Sequence, residues 1–433
     1  MSPTLTGIIG LVVLVVLLFS RMPVAFVMAL VGAAGFGYLI SYGASFNMVV
    51  KDLFDVFGSY SLTVIPLFIL MGQIAFHAGI SGRLFNVAYR FMGHWPGGLA
   101  IATIGACTGF AAICGSTNAT AATMAAVTLP EMKKYHYKDS LATGVVAAGG
   151  SLGILIPPSV IFIIYGVMTE QSIGKLFMAG ILPGLLLSLL FSLAIILWAV
   201  RRPEIAPRGP NFSFREKFAS LSGLVETVIL FLLVMGGLFF GIFTPTEAGG
   251  IGAFGTLLIA VIRRKITFKE FIQSLGETTK ISCMILMIVA GATVFGHFLA
   301  VTRIPFDVAN WVSNFNLSSN AIVGIIILVY LIGGCFIDAL ALITLTVPIF
   351  YPVIVSLGFD PIWFGVIIVL VTQIGVITPP VGVNVYVVSG IAKDVPLHVI
   401  FRGIVPLLLA LLVGTALLIP FPQIALFLPG LMK

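Results

Sequence analysis

The amino-acid sequence predicts an all-α polytopic membrane protein, arranged as an inverted repeat with two re-entrant helical hairpins and two broken helices. Hydrophobic residues make up 60% of the chain and charged residues 9%, whereas soluble domains carry about 25% charged residues. About 20 apolar residues of helix cross a ~30 Å hydrocarbon core, and isolated strands would leave backbone groups unpaired in lipid. The apolar runs that we interpret as helices cover residues 4–20, 23–41, 61–78, 141–168, 176–200, 222–243, 247–262, 277–300, 361–390 and 399–423.

Basic residues indicate how these helices are oriented. The chain has 22 Lys and Arg and a formal net charge of +7, and cytoplasmic loops of membrane proteins are enriched in these residues. When the predicted spans are followed along the chain, these basic residues lie on or beside one face of the membrane, except Lys51, Lys175, Arg303 and Lys433. We therefore expect that face to be cytoplasmic and no nucleic acid to be a partner. The first run lacks a basic n-region and a small-residue cleavage site, so we expect it to be retained.

The two halves of the chain match each other at an offset of 222 residues, the difference between positions 23 and 245. The orientation deduced from the basic loops puts Pro23 at the cytoplasmic face and Pro245 at the outer face. The halves therefore have opposite predicted topology, as in many secondary transporters, which bind their solutes at the repeat interface. The aligned pairs are Pro23 and Pro245, Tyr89 and Trp311, Pro130 and Pro352, Gly153 and Gly375, and the double prolines Pro157-Pro158 and Pro379-Pro380.

Two apolar segments are interrupted by polar or glycine-rich residues. Residues 97–132 are broken at 114–118, and residues 320–357 are broken at 333–338. Each half-run is about 15 residues, which is short for a full crossing at 1.5 Å per residue. We predict re-entrant hairpins whose tips are covered by protein or water. Short amphipathic helices are expected before them, at 80–93 and 304–317.

A double proline follows each hairpin within the next apolar run. Proline has no N–H and disfavours helical geometry at the residue before it, so helical carbonyls lose their donors. Freed carbonyl oxygens in apolar surroundings are unfavourable unless something coordinates them, and unwound backbone is how transporters hold a cation such as Na⁺. The alternative is that the prolines are only kinks. The carbonyls expected to be free are those of Gly153 and Ile154, and of Gly375 and Val376.

Polar side chains at the tips would supply further oxygen ligands. The first tip carries Ser116, Thr117 and Asn118, and the second carries Asp338. An acidic residue within the membrane usually marks an ion path or a paired site. Helix capping is the alternative for the first three residues, and capping and ligation can coexist.

Arg303 is a basic residue on the outer half of the chain, between an apolar run and Pro305. Facing a cavity, its guanidinium could bind a carboxylate in bidentate fashion. The alternatives are an interfacial arginine that reaches the headgroups, or a partner for Asp307 or Asp338.

Enzyme chemistry is disfavoured by the motifs. The chain has no HExxH, and its GxSxG string at 149–153 lies in a predicted membrane helix rather than a strand-to-helix turn. No phosphate-cradling P-loop is present, so ATP is not expected to drive this chain. The cysteines have no metal-ligand spacing and are interpreted as packing residues. They are Cys107, Cys114, Cys283 and Cys335.

These motifs resemble the large membrane subunit of tripartite ATP-independent periplasmic (TRAP) transporters. The resemblance covers essentially the whole chain and rests on Gly115-Ser116-Thr117-Asn118-Ala119, Gly153-x-x-Ile156-Pro157-Pro158-Ser159 and Thr378-Pro379-Pro380-Val381-Gly382-x-Asn384. It implies that the uptake of an organic acid is driven by Na⁺, which would bind at two or more sites. It also implies an elevator-type fold like that of the ion transporter superfamily, with hairpins and broken helices sliding against a scaffold.

Site residues and domains follow from the resemblance. Sodium ligands are expected at Gly115, Ser116, Asn118, Gly153, Pro157, Gly334, Asp338, Gly375, Thr378 and Pro379, and substrate contacts at Thr117, Asn118, Ser159, Arg303 and Asn384. Residues 1–94 and 201–318 would form the scaffold and arm helices, and 95–200 and 319–433 the transport parts.

The resemblance further implies two protein partners, a small four-helix membrane subunit and a periplasmic substrate-binding protein. Because the chain begins directly with the large-subunit pattern, we expect the small subunit to be a separate chain in the bacterial inner membrane. An anionic solute is expected, with Arg303 slightly favouring sialic acid over a C4-dicarboxylate. The competing hypothesis is a stand-alone divalent-anion/Na⁺ symporter of the related carrier superfamily.

Overall fold

A computed structural model describes residues 2–20, 22–313 and 318–432. The described part is mostly helical and contains no strand, which confirms the predicted all-α class. The helices of the first half are α1 (Pro3–Phe19), α2 (Val24–Leu39), α3 (Tyr42–Phe57), α4 (Val64–His77), α5 (Ile80–Met92), α6 (Gly98–Cys114), α7 (Thr117–Lys134), α8 (Asp139–Ser151), α9 (Val160–Thr169) and α10 (Ile173–Arg201).

The second half of the chain is also built from helices. Three short 3₁₀ segments accompany the described helices, at Tyr60–Thr63, Leu152–Ile154 and Pro203–Ile205. The remaining helices are α11 (Phe214–Ser220), α12 (Ser222–Phe239), α13 (Pro245–Ile262), α14 (Phe268–Thr302), α15 (Ile304–Ser313), α16 (Ser319–Gly334), α17 (Ala339–Ser356), α18 (Pro361–Ile377), α19 (Val383–Ile391), α20 (Leu397–Leu418) and α21 (Gln423–Gly430).

The order of elements recurs between the halves at the offset found in the sequence. Helices α7 and α17 begin at Thr117 and Ala339, and α8 and α18 begin at Asp139 and Pro361, so each pair is 222 residues apart. Helices α6 and α7 pack against each other, as do α16 and α17. The opposite membrane orientation of the halves, and the re-entry of the hairpins, stay predictions.

Among the described residues, seven helices are long and apolar enough to cross a membrane. Helix α17 is one of them, with 18 residues, so length alone does not identify it as half of a hairpin. The predicted amphipathic helices correspond to α5 and to α15. Residues 314–317 of the second one lie outside the described residues. The sequence prediction missed α3, α11 and α21.

Two hydrophobic clusters form the interior. The larger one contains side chains from both hairpins and both broken helices. The smaller one joins α1, α2 and α14 through Leu14, Val27, Phe295 and Phe298. At Gly32 an added Cβ would lie 2.8 Å from the Phe295 Cα, so α2 and α14 are in backbone contact. The clusters do not follow the predicted domain boundaries, because the larger one also contains Phe68 and Leu230 of the predicted scaffold and the smaller one contains Leu345 of α17. The boundaries stay predictions.

Large apolar side chains also cover much of the outside. On α10, Leu185, Leu189, Leu193 and Leu197 recur every four residues and are all exposed. Residues at this spacing share one helix face, and exposed stripes of this kind are stable where lipid replaces water. The surface therefore agrees with a protein that is dissolved in a bilayer.

Candidate functional site

The first hairpin tip is a sharp reversal between α6 and α7. Gly115 ends α6 in the left-handed conformation with φ 66°, a geometry that glycine adopts without a Cβ penalty. Ser116 then caps α7, its Oγ accepting from the Ala119 N–H at 3.4 Å. Helix capping, the alternative considered for the tip residues, is therefore confirmed for Ser116. Thr117 is buried, Ser116 is half-buried and Asn118 is exposed, so Asn118 presents its amide at the tip surface.

The first broken helix is interrupted where the double proline predicted it. Helix α8 ends at Ser151, and α9 begins after Ser159. The Ser159 hydroxyl donates to the Ile154 carbonyl at 2.5 Å and accepts from the Phe162 N–H at 3.4 Å. The expectation that the Ile154 carbonyl lacks a donor is therefore wrong, because Ser159 turns back on its own segment. Ser159 is fully buried, and its hydroxyl is used within the break.

The first tip and the first break meet backbone to backbone. A Cβ added at Gly115 would lie 2.6 Å from the Pro158 carbonyl oxygen, and one added at Gly153 would lie 2.5 Å from the Ser116 carbonyl oxygen. Glycine is required at both positions because any side chain would push the tip off the break. Each contact brings a backbone oxygen of one segment against a glycine of the other. Pro157 lies in the same buried stretch.

Thr120 is a residue that the sequence interpretation missed. Its Oγ1 would lie 2.8 Å from a Cβ at Gly153 and makes no hydrogen bond to nitrogen or oxygen, with the weakly polar Cys114 thiol beside it. A buried hydroxyl without such a partner is unusual. Thr120 lies one helical turn after Ser116, and this spacing could have identified Thr120 as a candidate site residue.

The second tip is longer and carries a charge. Helix α16 ends at Gly334, and Asp338 caps α17, its Oδ1 accepting from the Leu340 N–H at 3.0 Å. The Asp338 side chain is exposed, so one carboxylate serves as a helix cap and remains open to a ligand. The Cys335 carbonyl accepts from the Val381 N–H at 3.3 Å, which ties this tip to the second break.

The second break packs on its tip even more closely than the first. A Cβ added at Gly375 would lie 2.4 Å from the Gly334 carbonyl oxygen. The Thr378 hydroxyl donates to the Ile374 carbonyl at 2.5 Å, and the Thr378 N–H donates to the Gly375 carbonyl at 3.1 Å. The expectation that the Gly375 carbonyl is free is therefore wrong. Pro379 follows directly and is exposed.

Buried amide side chains lie in the second broken helix. Asn384 is fully buried, and its Nδ2 donates to the Ala147 carbonyl of α8 at 3.0 Å, which joins the two broken helices. Its Oδ1 has no hydrogen-bond partner among the described residues, and the same holds for both amide atoms of Gln373. The sequence interpretation named Asn384 as a substrate contact and missed Gln373. Both provide polar atoms that the protein itself leaves unmatched.

Arg303 lines a cavity against α17. It ends α14 with φ 63°, and its guanidinium stacks 5.4 Å from the centre of the Phe306 ring. The cavity beside it is lined by Pro348 and Pro352 of α17, and ten helical residues separate Pro348 from Asp338, roughly 15 Å. Arg303 thus faces a cavity, as its predicted role requires, and the substrate contact there stays a prediction. Asp307 is bonded instead by the Thr4 hydroxyl, at 2.9 Å.

Comparison with known proteins decides the family. Residues 11–424 match the family described as tripartite ATP-independent periplasmic transporter, DctM component. The chain belongs to this family. It is 37% identical to the C4-dicarboxylate TRAP transporter large permease protein DctM of Pseudomonas aeruginosa, over 89% of each chain. It is 35% identical to the sialic acid TRAP transporter large permease protein SiaM of Vibrio cholerae, over 96% of each.

Solved structures with the same fold are more distant in sequence. The YdaH transporter of Alcanivorax borkumensis superposes with a TM-score of 0.65 at 16% identity, covering 90% of this chain and 89% of the other. MtrF of Neisseria gonorrhoeae gives a TM-score of 0.55 at 15% identity, over 88% and 83%. At these identities the similarity concerns the fold alone. This DctM-family chain is thus a multi-pass permease of the bacterial inner membrane, and its family is one of transporters rather than enzymes.

Proposed function

We propose that this DctM-family permease imports an organic acid together with Na⁺. The observation that carries the proposal is the repeated tip-to-break contact, in which a glycine of the break lies against a backbone oxygen of the tip in both halves. Gly153 faces the Ser116 carbonyl in one half, and Gly375 faces the Gly334 carbonyl in the other. Unwound backbone at helix breaks is the usual cation ligand in secondary transporters.

The ligand chemistry suits a hard monovalent cation at each contact. The first contact offers the Ser116 and Pro158 carbonyls and the unmatched Thr120 hydroxyl. At the second contact the carboxylate of Asp338 remains accessible beside the break that contains Thr378. Oxygen ligands of these types favour hard cations over transition metals. One site is neutral and the other is charged, so we propose that they bind Na⁺ with different strengths.

The solute class is proposed from the relatives and the tips together. Relatives are named for C4-dicarboxylate, sialic acid, isethionate and ectoine, compounds that carry a carboxylate or a sulfonate. We place such a group near the first tip, where Asn118 is exposed beside Thr117. The preference for sialic acid depends on Arg303 alone, whose contact with a substrate stays a prediction. The broader class of organic acids is therefore the better proposal.

Two partners belong to the proposal, a small membrane subunit and a periplasmic binding protein. The family description calls the transporter tripartite, which supports three components. The proposal also includes the elevator motion that the family resemblance implies, in which the hairpins and broken helices move against the remaining helices. Shear between packed helices is an established form of domain movement.

Reconstitution tests this function. Proteoliposomes that contain this chain and its small subunit, with the binding protein added outside, are expected to accumulate labelled organic acid only under an inward Na⁺ gradient. Equal uptake with choline in place of Na⁺ would contradict sodium coupling. Uptake at full rate without the binding protein would favour the competing hypothesis of a stand-alone divalent-anion/Na⁺ symporter. Liposomes with the Asp338→Asn variant provide a control for the charged site.

A further inference from the structure

A basic cavity lies between α5 and the start of α12, outside the tip-to-break contacts. Its volume is about 240 Å³, and its polar lining comes from Arg83, Asn86, Arg90, Ser220 and Ser222. The three α5 residues recur at helical spacing and so share one face of that helix. We infer that this cavity binds the phosphodiester headgroup of an anionic lipid from the leaflet next to the basic loops.

The charge balance at the cavity favours an anion. Glu226 is buried and already bonds two guanidinium groups, Arg83 at 2.6 Å and Arg263 at 3.0 Å. Arg90 bonds neutral acceptors, the Asn86 side chain and the Glu216 carbonyl, both at 3.3 Å. Glu216 also lies near Arg90, although its carboxylate accepts hydrogen bonds from Ser213. The three arginines therefore exceed the two neighbouring carboxylates by one positive charge. The excess positive charge matches a phosphate.

Unused hydrogen-bond donors point the same way. The Nε of Arg83 is buried and has no acceptor among the described residues. Helix α12 begins at Ser222 without a side-chain cap. The Leu224 N–H donates to the Leu221 carbonyl, so the terminal residues that line the cavity are Ser222 and Gly223. Uncapped helix N-termini bind phosphate through their first N–H groups and the helix dipole. Arg83 and the α12 terminus thus offer donors that the chain does not satisfy by itself.

A lipid fits better than a free phosphate because apolar surface continues from the cavity into the membrane. Ser222, Val225, Ile229 and Leu232 form one exposed stripe along α12, at a spacing that keeps them on one helix face. An acyl chain can lie along this stripe while its headgroup occupies the cavity.

Helix α11 beside the cavity has the composition of an interfacial helix. Phe214 and Phe218 lie four residues apart, and they are 80% and 66% exposed. Arg215 and Lys217 lie on the same short helix. Aromatic and basic side chains together anchor helices at the membrane surface, and basic pockets between membrane helices bind anionic headgroups. The cavity is thus positioned at the depth of the phosphates.

Native mass spectrometry of the detergent-purified full chain tests this site. Titrated with phosphatidylglycerol and with phosphatidylcholine of identical acyl chains, the protein is expected to retain one phosphatidylglycerol at least about fivefold more strongly. Arg90→Gln should remove this preference, and Arg90→Lys should keep most of it. Arg215→Gln is the matched control, since it removes one arginine from α11 without touching the cavity, and should bind like wild type.

Three outcomes would overturn the inference. One is equal retention of the two lipids by the wild-type chain. Another is an equal loss of binding in Arg90→Gln and Arg215→Gln, which would show only diffuse surface charge. The third is displacement of phosphatidylglycerol by equimolar inorganic phosphate, which would make the cavity a site for free phosphate. Size-exclusion profiles and circular dichroism of each variant establish that it is folded.

Discussion

The first hairpin tip meets its broken helix through neutral groups, whereas the second tip carries the carboxylate of Asp338. Both tips rely on a glycine in the break, Gly153 or Gly375, to let backbone approach backbone. The first contact contains an unmatched hydroxyl, that of Thr120. The second keeps its carboxylate accessible while using it as a helix cap. The repeat has thus preserved the close approach of the backbone and has changed the charge.

Of the two tip-to-break contacts, the one at Gly375 is the tighter, and we expect its disturbance to lower stability most. A Cβ at Gly375 would lie 2.3, 2.4 and 2.5 Å from the C, O and Cα atoms of Gly334, all of them backbone. Because no side chain can move aside, Gly375→Ala is expected to lower the free energy of unfolding by about 1–3 kcal/mol or to prevent folding. Chemical unfolding followed by circular dichroism measures this loss.

The matched control is Gly390→Ala in α19, where an added Cβ meets nothing within 4 Å. This change should be neutral or slightly stabilising because alanine favours helix. Gly153→Ala should fall between the two, since its nearest atom lies at 2.5 Å and the next two at 2.8 Å. Wild-type stability of Gly375→Ala would show that the second contact is not tight.

The difference in charge predicts the next effect. Asn is as good a helix cap as Asp, so Asp338→Asn should keep the α17 cap and remove only the charge. Charge-assisted contacts are roughly twice as strong as neutral ones. The Na⁺ concentration for half-maximal uptake is expected to rise about tenfold, which corresponds to ~1.4 kcal/mol. Ser116→Ala at the neutral tip should raise it less.

Uptake measured against Na⁺ concentration in proteoliposomes distinguishes the tips. An unchanged sodium response in Asp338→Asn, with normal protein stability, would remove Asp338 from the ion site. An equal response in Ser116→Ala would mean that the two tips do not differ in the way that their charges suggest.

Much of the fold could be predicted because membrane helices leave a direct trace in composition. The predicted break at 114–118 contains the observed reversal at Gly115 and Ser116, since glycine and capping residues interrupt an apolar run. Helix α3 was missed for the opposite reason. Its polar residues Lys51, Asp52 and Asp55 divide the apolar run on which the predicted spans were based, and its helical pattern is amphipathic instead.

The details of the candidate site could be predicted less well. The sequence shows that each proline lacks a backbone N–H donor. It does not show that the Ser159 hydroxyl donates to the Ile154 carbonyl and that the Thr378 N–H donates to the Gly375 carbonyl. Such local side-chain and turn bonds depend on the path of the break. The position of Arg303 relative to the tips depends on the axis of α17, which no residue pattern specifies.

Each hairpin is also linked to the other half of the chain, by bonds of different character. Lys133 at the end of α7 pairs with Asp394 after α19 at 2.5 Å, and both side chains are largely exposed. Tyr351 on α17 accepts from the Gln171 Nε2 at 3.0 Å and donates to the Thr169 carbonyl at 3.3 Å, in a half-buried setting. One link is ionic and the other is neutral.

The neutral link should contribute more to stability. Tyr351→Phe is expected to lower the free energy of unfolding by about 1 kcal/mol, because it removes two half-buried hydrogen bonds while the bond from the Gln171 Nε2 to the Thr169 carbonyl remains. Asp394→Asn should change stability little at neutral pH, since exposed ion pairs are weakly stabilising and are screened by salt. Thermal unfolding of both variants at low and high salt measures the contrast. A larger loss in Asp394→Asn would reverse it.

The ionic link has a pH dependence whose sign follows from its chemistry. The hydrogen bond and charge of Lys133 hold the pKa of Asp394 below its ordinary value of 3.8. A carboxyl group whose pKa is lowered by folding contributes stability above its unfolded pKa and loses it as the pH falls through the folded value. The small difference between wild type and Asp394→Asn should therefore stay constant from about pH 5 to 8 and vanish only in stronger acid. Glu204→Gln, in an exposed segment, is the control. A difference that disappears near neutral pH would mean that another titrating group controls this link.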